Sequence, residues 1–263
     1  MLKTMDWELL SSTLSSEALK TLKELRSTND QLSVNTCGEN EKHLVPNSVF
    51  KSKDYWEGRF ETEETYDWLV SFKHVEKHFI HELKVNDQIL IVGCGNSNFS
   101  NDLFDSGFEN IVNIDFSSVV IDKMSASNSE KRLKMRWICM DMLELSFPEC
   151  TFDVVIDKAA MDALMVDEKD VWDPDRLVIE EADKMCGGIV RVLKPGGVFY
   201  QISFAQPHFR TKYLLGYHAE GREMDPYKSY SGISTKYNWD LTFTPIEIDG
   251  GCLNSFLYSM KII

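Results

Sequence analysis

The sequence predicts an α/β protein built on a mostly parallel sheet with an antiparallel end, and three observations carry that expectation. Short β-rich runs alternate with helical ones from Gln88 to Phe204. The stretch "LIVGCGNSNFS", Leu90 to Ser100, passes from an apolar run into Gly-Cys-Gly and then a polar segment suited to opening a helix. The last two β-rich runs, "DLTFTPIEI" and "LNSFLYSMKI", are separated only by a short Asp249-Gly250-Gly251 turn. Alternation implies parallel strands joined by right-handed crossovers, whereas the short glycine turn implies a C-terminal hairpin.

Taken in order, the first 46 residues stand apart by composition. Leu14, Ala18, Leu22 and Leu25 have helical spacing and precede the polar stretch "STNDQLSVNTCGENEK". They predict a short amphipathic helix and a linker, with the main domain over residues 47–263. Packing on the domain's own edge is the leading reading of that helix, ahead of docking a partner. From Asp67, the residues Trp68, Phe72, Val75, Phe79 and Leu83 recur at spacings of four and three, a helical stripe made to lie on a sheet. There follow a strand "QILIVG", a helix from about Asn98, a strand "NIVNID", a helix beginning at Ser117, strands "KMRWICM" and "FDVVID", a helix from about Ala160, a longer helix ending near Leu193, and a strand "GVFYQISF".

Composition narrows the function. With 263 residues, 43% of them hydrophobic, the chain suits one domain with an appendage. A net charge of -14 argues against a nucleic-acid backbone as main partner and favours a basic one. No apolar run approaches the roughly 20 residues that span a bilayer, and Asp6, Glu8 and Glu17 stand where a leader peptide avoids acids. A cytosolic or nuclear protein is expected, the cytoplasm first, with no membrane contact. The six cysteines form no C-x-x-C pair, so reduced thiols are expected. His74, His78 and His81 share one helical face, but no matching acid is identifiable, and a solvated surface is the better reading than a metal site. "DEKD", Asp167 to Asp170, and "IEEADK" read as exposed charge, or more sharply as contacts for a basic protein substrate.

In an open α/β sheet, ligands bind at the carboxyl ends of the strands. There Gly93 and Gly95 let a ligand approach the backbone, Asp115 stands where a carboxylate accepts from ribose hydroxyls, and Asp141, with the Met142 backbone, could meet an adenine amino group. Together they predict an adenosine-containing cofactor. The dinucleotide fingerprint also has Gly-x-Gly and a later acid, but Asn98 occupies its third glycine position and a second nucleotide-binding half is absent.

"LIVGCGNSNFS", "IVNIDFSSVVI", "WICMDMLELSFPECTFDVVIDKAAMDAL" and "RVLKPGGVFYQIS" resemble the successive motifs of class I, seven-stranded S-adenosylmethionine-dependent methyltransferases. The resemblance is nearer still to the group that includes elongation factor 1-alpha lysine methyltransferases, and runs from about Tyr55 to the C-terminus. It implies a Rossmann-like seven-stranded fold, S-adenosyl-L-methionine as cofactor, and a cofactor wall made by Trp56, Phe60 and Trp68, with Asp157 as an acid closing the fourth strand. The group commonly has "DKGTLDA" or "EKGTLDA" where this chain has "DKAAMDA", with Ala159 and Ala160 in place of Gly and Thr.

Methyl transfer needs alignment of a nucleophile and exclusion of water, not a triad or a metal. A lysine nucleophile, with a reference pKa of about 10.4, must also lose a proton. Candidates for its channel are Tyr55, Asp157, Asp162, His208 and Phe209, with Asp157 first for contacting cofactor or amine and His208 facing the substrate. Asp162 reads equally as a solvated helix-start residue, and Lys158 and Arg210 read as surface salt-bridge formers. The expected activity is methylation of a protein lysine by a monomer, with elongation factor 1-alpha as the named candidate substrate. A small-molecule N- or O-methyltransferase and a non-catalytic cofactor-binding module stay open beside it.

Overall fold

A computed structural model describes residues 46–168, 170–171, 173–216, 231–247 and 255–263. The N-terminal helix and linker, and the Asp249-Gly250-Gly251 turn, lie outside these residues. Eight strands form one sheet: β1 (Ile89–Val92), β2 (Ile111–Asp115), β3 (Arg136–Cys139), β4 (Phe152–Lys158), β5 (Leu193–Ser203), β6 (Gly232–Ser234), β7 (Trp239–Ile246) and β8 (Ser255–Ile262). Their order is β3-β2-β1-β4-β5-β8-β7-β6. The first five strands are parallel, and β8, β7 and β6 each add antiparallel to the neighbour before them. This is the expected parallel sheet with an antiparallel end, extended by the three-residue strand β6. The order reverses between β1 and β4, which is where an open α/β sheet leaves a crevice.

Seven α-helices occur among the described residues: α1 (Lys53–Thr62), α2 (Phe72–Phe79), α3 (Phe99–Asp105), α4 (Ser118–Asn128), α5 (Ala160–Leu164), α6 (Arg176–Val192) and α7 (Pro207–Leu214). All four residues of β1 are buried because both sheet faces are covered. Leu90 and Val92 join the cluster containing Val178, Ala182, Met185 and Ile189 of α6, while Ile89 and Ile91 join the cluster containing Phe72, Val75 and Phe79 of α2. The two-residue alternation of a strand thus feeds two apolar layers.

The apolar stripe from Trp68 to Leu83 is only partly helical. Phe72, Val75 and Phe79 form the buried face of α2, but Trp68 precedes the helix and Leu83 follows a 3-10 turn at Ile80–Glu82. Leu69 at φ 64 takes the chain out of helical space, and this frees Trp68 for the site described below. Elsewhere helix starts are fixed by capping: the Ser117 hydroxyl accepts from the Val120 N–H, and the Glu57 carboxylate accepts from the Ser118 and Val119 N–H groups at the head of α4.

Ala159, one of the two departures from the family motif, has φ 70, a left-handed conformation that L-residues other than Asn and Asp rarely adopt. Ala159→Gly removes the Cβ conflict and is expected to stabilise the protein by about 1 kcal/mol, raising the melting temperature by about 2–4 °C. An unchanged or lower melting temperature would show that the turn carries no such strain.

Candidate cofactor and acceptor site

A cavity of about 640 Å³ lies across the carboxyl ends of the parallel strands. Its floor follows the strand order: Asp141 and Met142 past β3, Asp115 at the end of β2, Gly93 to Ser97 after β1, Lys158 to Ala160 at the end of β4, and Phe204 beyond β5. Its roof comes from α1 and the segments around it, with Phe50, Trp56, Phe60, Tyr66 and Trp68. Of the residues expected to hold the cofactor, Trp56, Phe60, Trp68, Gly93, Gly95, Asp115, Asp141 and Met142 therefore line one space.

Asp115 is only 4% exposed and its carboxylate is tied to the glycine turn. Oδ2 accepts from the Gly95 N–H at 2.9 Å and Oδ1 from the Ser117 N–H at 3.0 Å. Burial pushes its pKa up to about 6, against the backbone N–H groups that favour the ionised form. The two oxygens together keep acceptor capacity beyond their backbone bonds, as a diol would require. Gly93 and Gly95 have φ of 59° and 51°. A Cβ on Gly95 would lie 3.6 Å from the Phe60 ring, inside the space between floor and roof. At the opposite flank, Asp141 Oδ1 accepts from the Leu143 N–H at 2.8 Å, turning the chain so that Met140, Met142 and Leu143 form an apolar wall.

The roof is an aromatic cluster. Trp56 stacks on Phe60 with centroids 5.5 Å apart and meets Trp68 edge-on at 5.9 Å. The Trp56 Nε1–H donates to the Phe50 carbonyl, whereas the buried Trp68 Nε1–H has no partner among the described residues. The Arg59 guanidinium lies 4.8 Å from the Trp68 ring centroid and donates to Glu63, which also accepts from Asn96 of the glycine turn. Lys158 holds the Trp68 segment from below, donating to the Trp68 carbonyl at 3.0 Å and to Asp67 at 3.3 Å; Asp67 in turn accepts from the Ser97 hydroxyl. An acceptor-only carboxylate for a ribose, an apolar wall for a base, aromatic faces beside a cation and an unpaired indole donor together fit an adenosyl sulfonium ligand.

Four candidate residues, Asp157, Tyr55, His208 and Phe209, are not brought to the cavity wall. Asp157 is fully buried one level below it, because its register partner on β1 is Val92, the residue before the glycine turn. There it accepts from the Ala160 N–H, which opens α5, and from Gln201, and burial pushes its pKa up to about 6. Tyr55 packs on Phe50 and accepts from Arg59, and His208 packs on Phe209. Lys158 and Arg210 are not surface salt-bridge formers: their side chains are 7% and 3% exposed, since Lys158 ends a buried strand and Arg210 points inward from α7. Burial lowers the Lys158 pKa, with Asp67 opposing the shift. Asp162 is buried too and lines the cavity. Of the acidic runs, Glu168 is paired with Lys212, and Glu181 with Lys51. Tyr66, Asp67, Asn96 and Ser97 were not expected as site residues; only their nearness in sequence to Trp68 and Gly95 could have pointed to them.

A model of the methyltransferase domain family matches residues 90–201. The chain is 37% identical over 183 residues to the mouse (Mus musculus) eEF1A lysine and N-terminal methyltransferase, an alignment covering 68% of this chain and 25% of that protein. It is 34% identical over 175 residues to the bovine (Bos taurus) EEF1A lysine methyltransferase 4, covering 65% of this chain and 68% of that protein. The chain thus spans about a quarter of the length of the first of these relatives. Among solved structures, the N-methyltransferase NodS of Bradyrhizobium japonicum superposes with a TM-score of 0.52 at 14% identity, covering 79% of this chain and 98% of that one. The cyclase SpnF superposes with 0.53 at 12%, covering 82% and 93%. These two likenesses concern the fold alone, and their different chemistries show why the site must carry the functional argument.

Proposed function

The chain belongs to the methyltransferase-domain family of the EEF1A lysine methyltransferases, and from that membership we propose that it transfers a methyl group to a protein lysine, with elongation factor 1A as substrate. The observation that carries the reading is the single cavity that gathers the Gly93–Ser97 turn, Asp115 and the aromatic roof at the reversal point of the sheet. Asp115 would hold the ribose diol, the Met140–Leu143 wall and Asp141 would take the adenine, and Trp56 and Trp68 would cover the sulfonium. When bound, S-adenosyl-L-methionine would supply an electrophilic methyl group to a deprotonated acceptor nitrogen, with a neutral sulfide as the leaving group.

The protein's own part is alignment and exclusion of water. The Lys158 and Asp67 contacts keep Trp68 over the cavity, and the Glu63–Asn96 bond ties α1 to the glycine turn. A net charge of -14 supports a basic protein as the acceptor by steering. No helix among the described residues is long and apolar enough to cross a membrane.

The test is incubation with methyl-labelled S-adenosyl-L-methionine and elongation factor 1A purified from cells lacking this enzyme. Label is expected on lysine of the factor. Label confined to small molecules would replace this reading with a small-molecule methyltransferase, and cofactor binding without transfer to any acceptor would replace it with a binding module.

A further inference from the structure

We propose that the Asp162 carboxylate receives the acceptor amine, with Arg210 and Ser203 as its positioning residues. The proposal rests on the methyltransferase reading above. The strand order places Asp162 and Phe204 at the β4–β5 end of the cavity, opposite Asp141 and beyond the glycine turn. The part of the cavity left for an acceptor is therefore the part that Asp162 lines.

The two carboxylate oxygens are used unequally. Oδ1 accepts from the Ser203 hydroxyl at 2.6 Å and from Arg210 Nη2 at 2.5 Å. Among the described residues Oδ2 takes only a 3.4 Å contact from the Phe204 N–H, which leaves it acceptor capacity. Arg210 and Ser203 thus fix the carboxylate plane through one oxygen and leave the other for an incoming N–H donor. The charges point the same way. Among the described residues, Asp157 and Asp162 are two buried carboxylates beside one guanidinium, that of Arg210, so a cation arriving at Asp162 would balance the second carboxylate. Beside the carboxylate, Ala159, Ala160 and Ala163 leave width for an aliphatic stem, and Phe204, 56% exposed, stands at the cavity's outer end as an apolar wall.

The probe is sinefungin, the analogue of S-adenosyl-L-methionine in which an ammonium-bearing carbon replaces the methylated sulfur, compared with S-adenosyl-L-homocysteine, which has no cation there. Calorimetry on the full chain gives both affinities. Asp162→Asn is expected to weaken sinefungin roughly ten- to a hundredfold while changing S-adenosyl-L-homocysteine little, the range for losing a hydrogen bond to a charged group. Arg210→Lys should keep most of the preference for sinefungin and Arg210→Gln should lose it. Should Asp162→Asn fail to fold with Arg210 stranded, the double variant Asp162→Asn/Arg210→Gln removes both charges and carries the same comparison. Equal weakening of both ligands, or of neither, overturns the proposal. Wild-type protein that binds neither ligand overturns it together with the methyltransferase reading. An intact difference in protein that leaves elongation factor 1A unmethylated supports the proposal and overturns only the choice of substrate.

Discussion

Asp115→Ala is expected to weaken S-adenosyl-L-homocysteine binding by about a hundredfold or more, because two hydroxyl donors lose a charged acceptor, each such bond contributing about 1.5–3 kcal/mol. The same change strands the Gly95 and Ser117 N–H groups, so Asp115→Asn, which keeps the shape and one acceptor oxygen, separates the ligand effect from collapse of the turn. Acid should do to the wild type what the Asn variant does permanently. The Asp115 pKa is raised to about 6 by burial, so affinity should fall up to about tenfold per pH unit below that value. The stability of the free protein should move oppositely. A carboxyl whose folded pKa lies above its unfolded value of 3.8 contributes stability that is complete below pH 3.8 and is lost as pH rises through 6. Asp157 shifts in the same direction and adds to this trend. Between pH 7 and 5, affinity should therefore drop while melting temperature, measured as wild type minus Asp115→Asn, rises. Affinity that is flat across this range would show that Asp115 does not hold the ligand.

Asp115 was legible in the sequence because everything that places it is local or periodic: an apolar run ends in it, and it follows the glycine turn by the length of one helix and one strand. The same holds for Gly93, Gly95, Asp141 and Met142. The roof was legible only through resemblance, since nothing periodic links Trp56 and Trp68 to the floor. The position of Trp68 depends on the left-handed backbone at Leu69, which breaks a stripe that otherwise reads as one helix. Burial of polar groups was hidden for a related reason. Asp162 and Arg210 are 48 residues apart and Lys158 and Asp67 are 91 apart, and a charge whose partner lies that far along the chain reads as solvated. Asp157 shows the limit of a strand-end rule: it stands one residue short of the end of β4, and that single step puts its carboxylate under the cavity instead of in it.

Gly93→Ala should damage fold and ligand site together, and its two causes can be separated. At φ 59 the backbone is left-handed, which costs an alanine about 1–2 kcal/mol. The new Cβ would also stand 2.4 Å from the Ala160 Cβ, an overlap that can be relieved only by moving the start of α5. Overpacking of this kind costs about 1–3 kcal/mol, so a total loss of about 2–5 kcal/mol is expected by denaturant unfolding. Ala160 follows the Ala159 turn that Asp157 caps, so relief of the overlap would also shift Asp162 and weaken sinefungin along with S-adenosyl-L-homocysteine. Adding Ala160→Gly removes the overlap but not the backbone cost. The double variant Gly93→Ala/Ala160→Gly should thus recover the overpacking part, about half the loss or more, and leave the rest. No recovery would mean that the backbone conformation alone requires glycine, and full recovery would mean that the close approach of the β1 turn to α5 is what requires it.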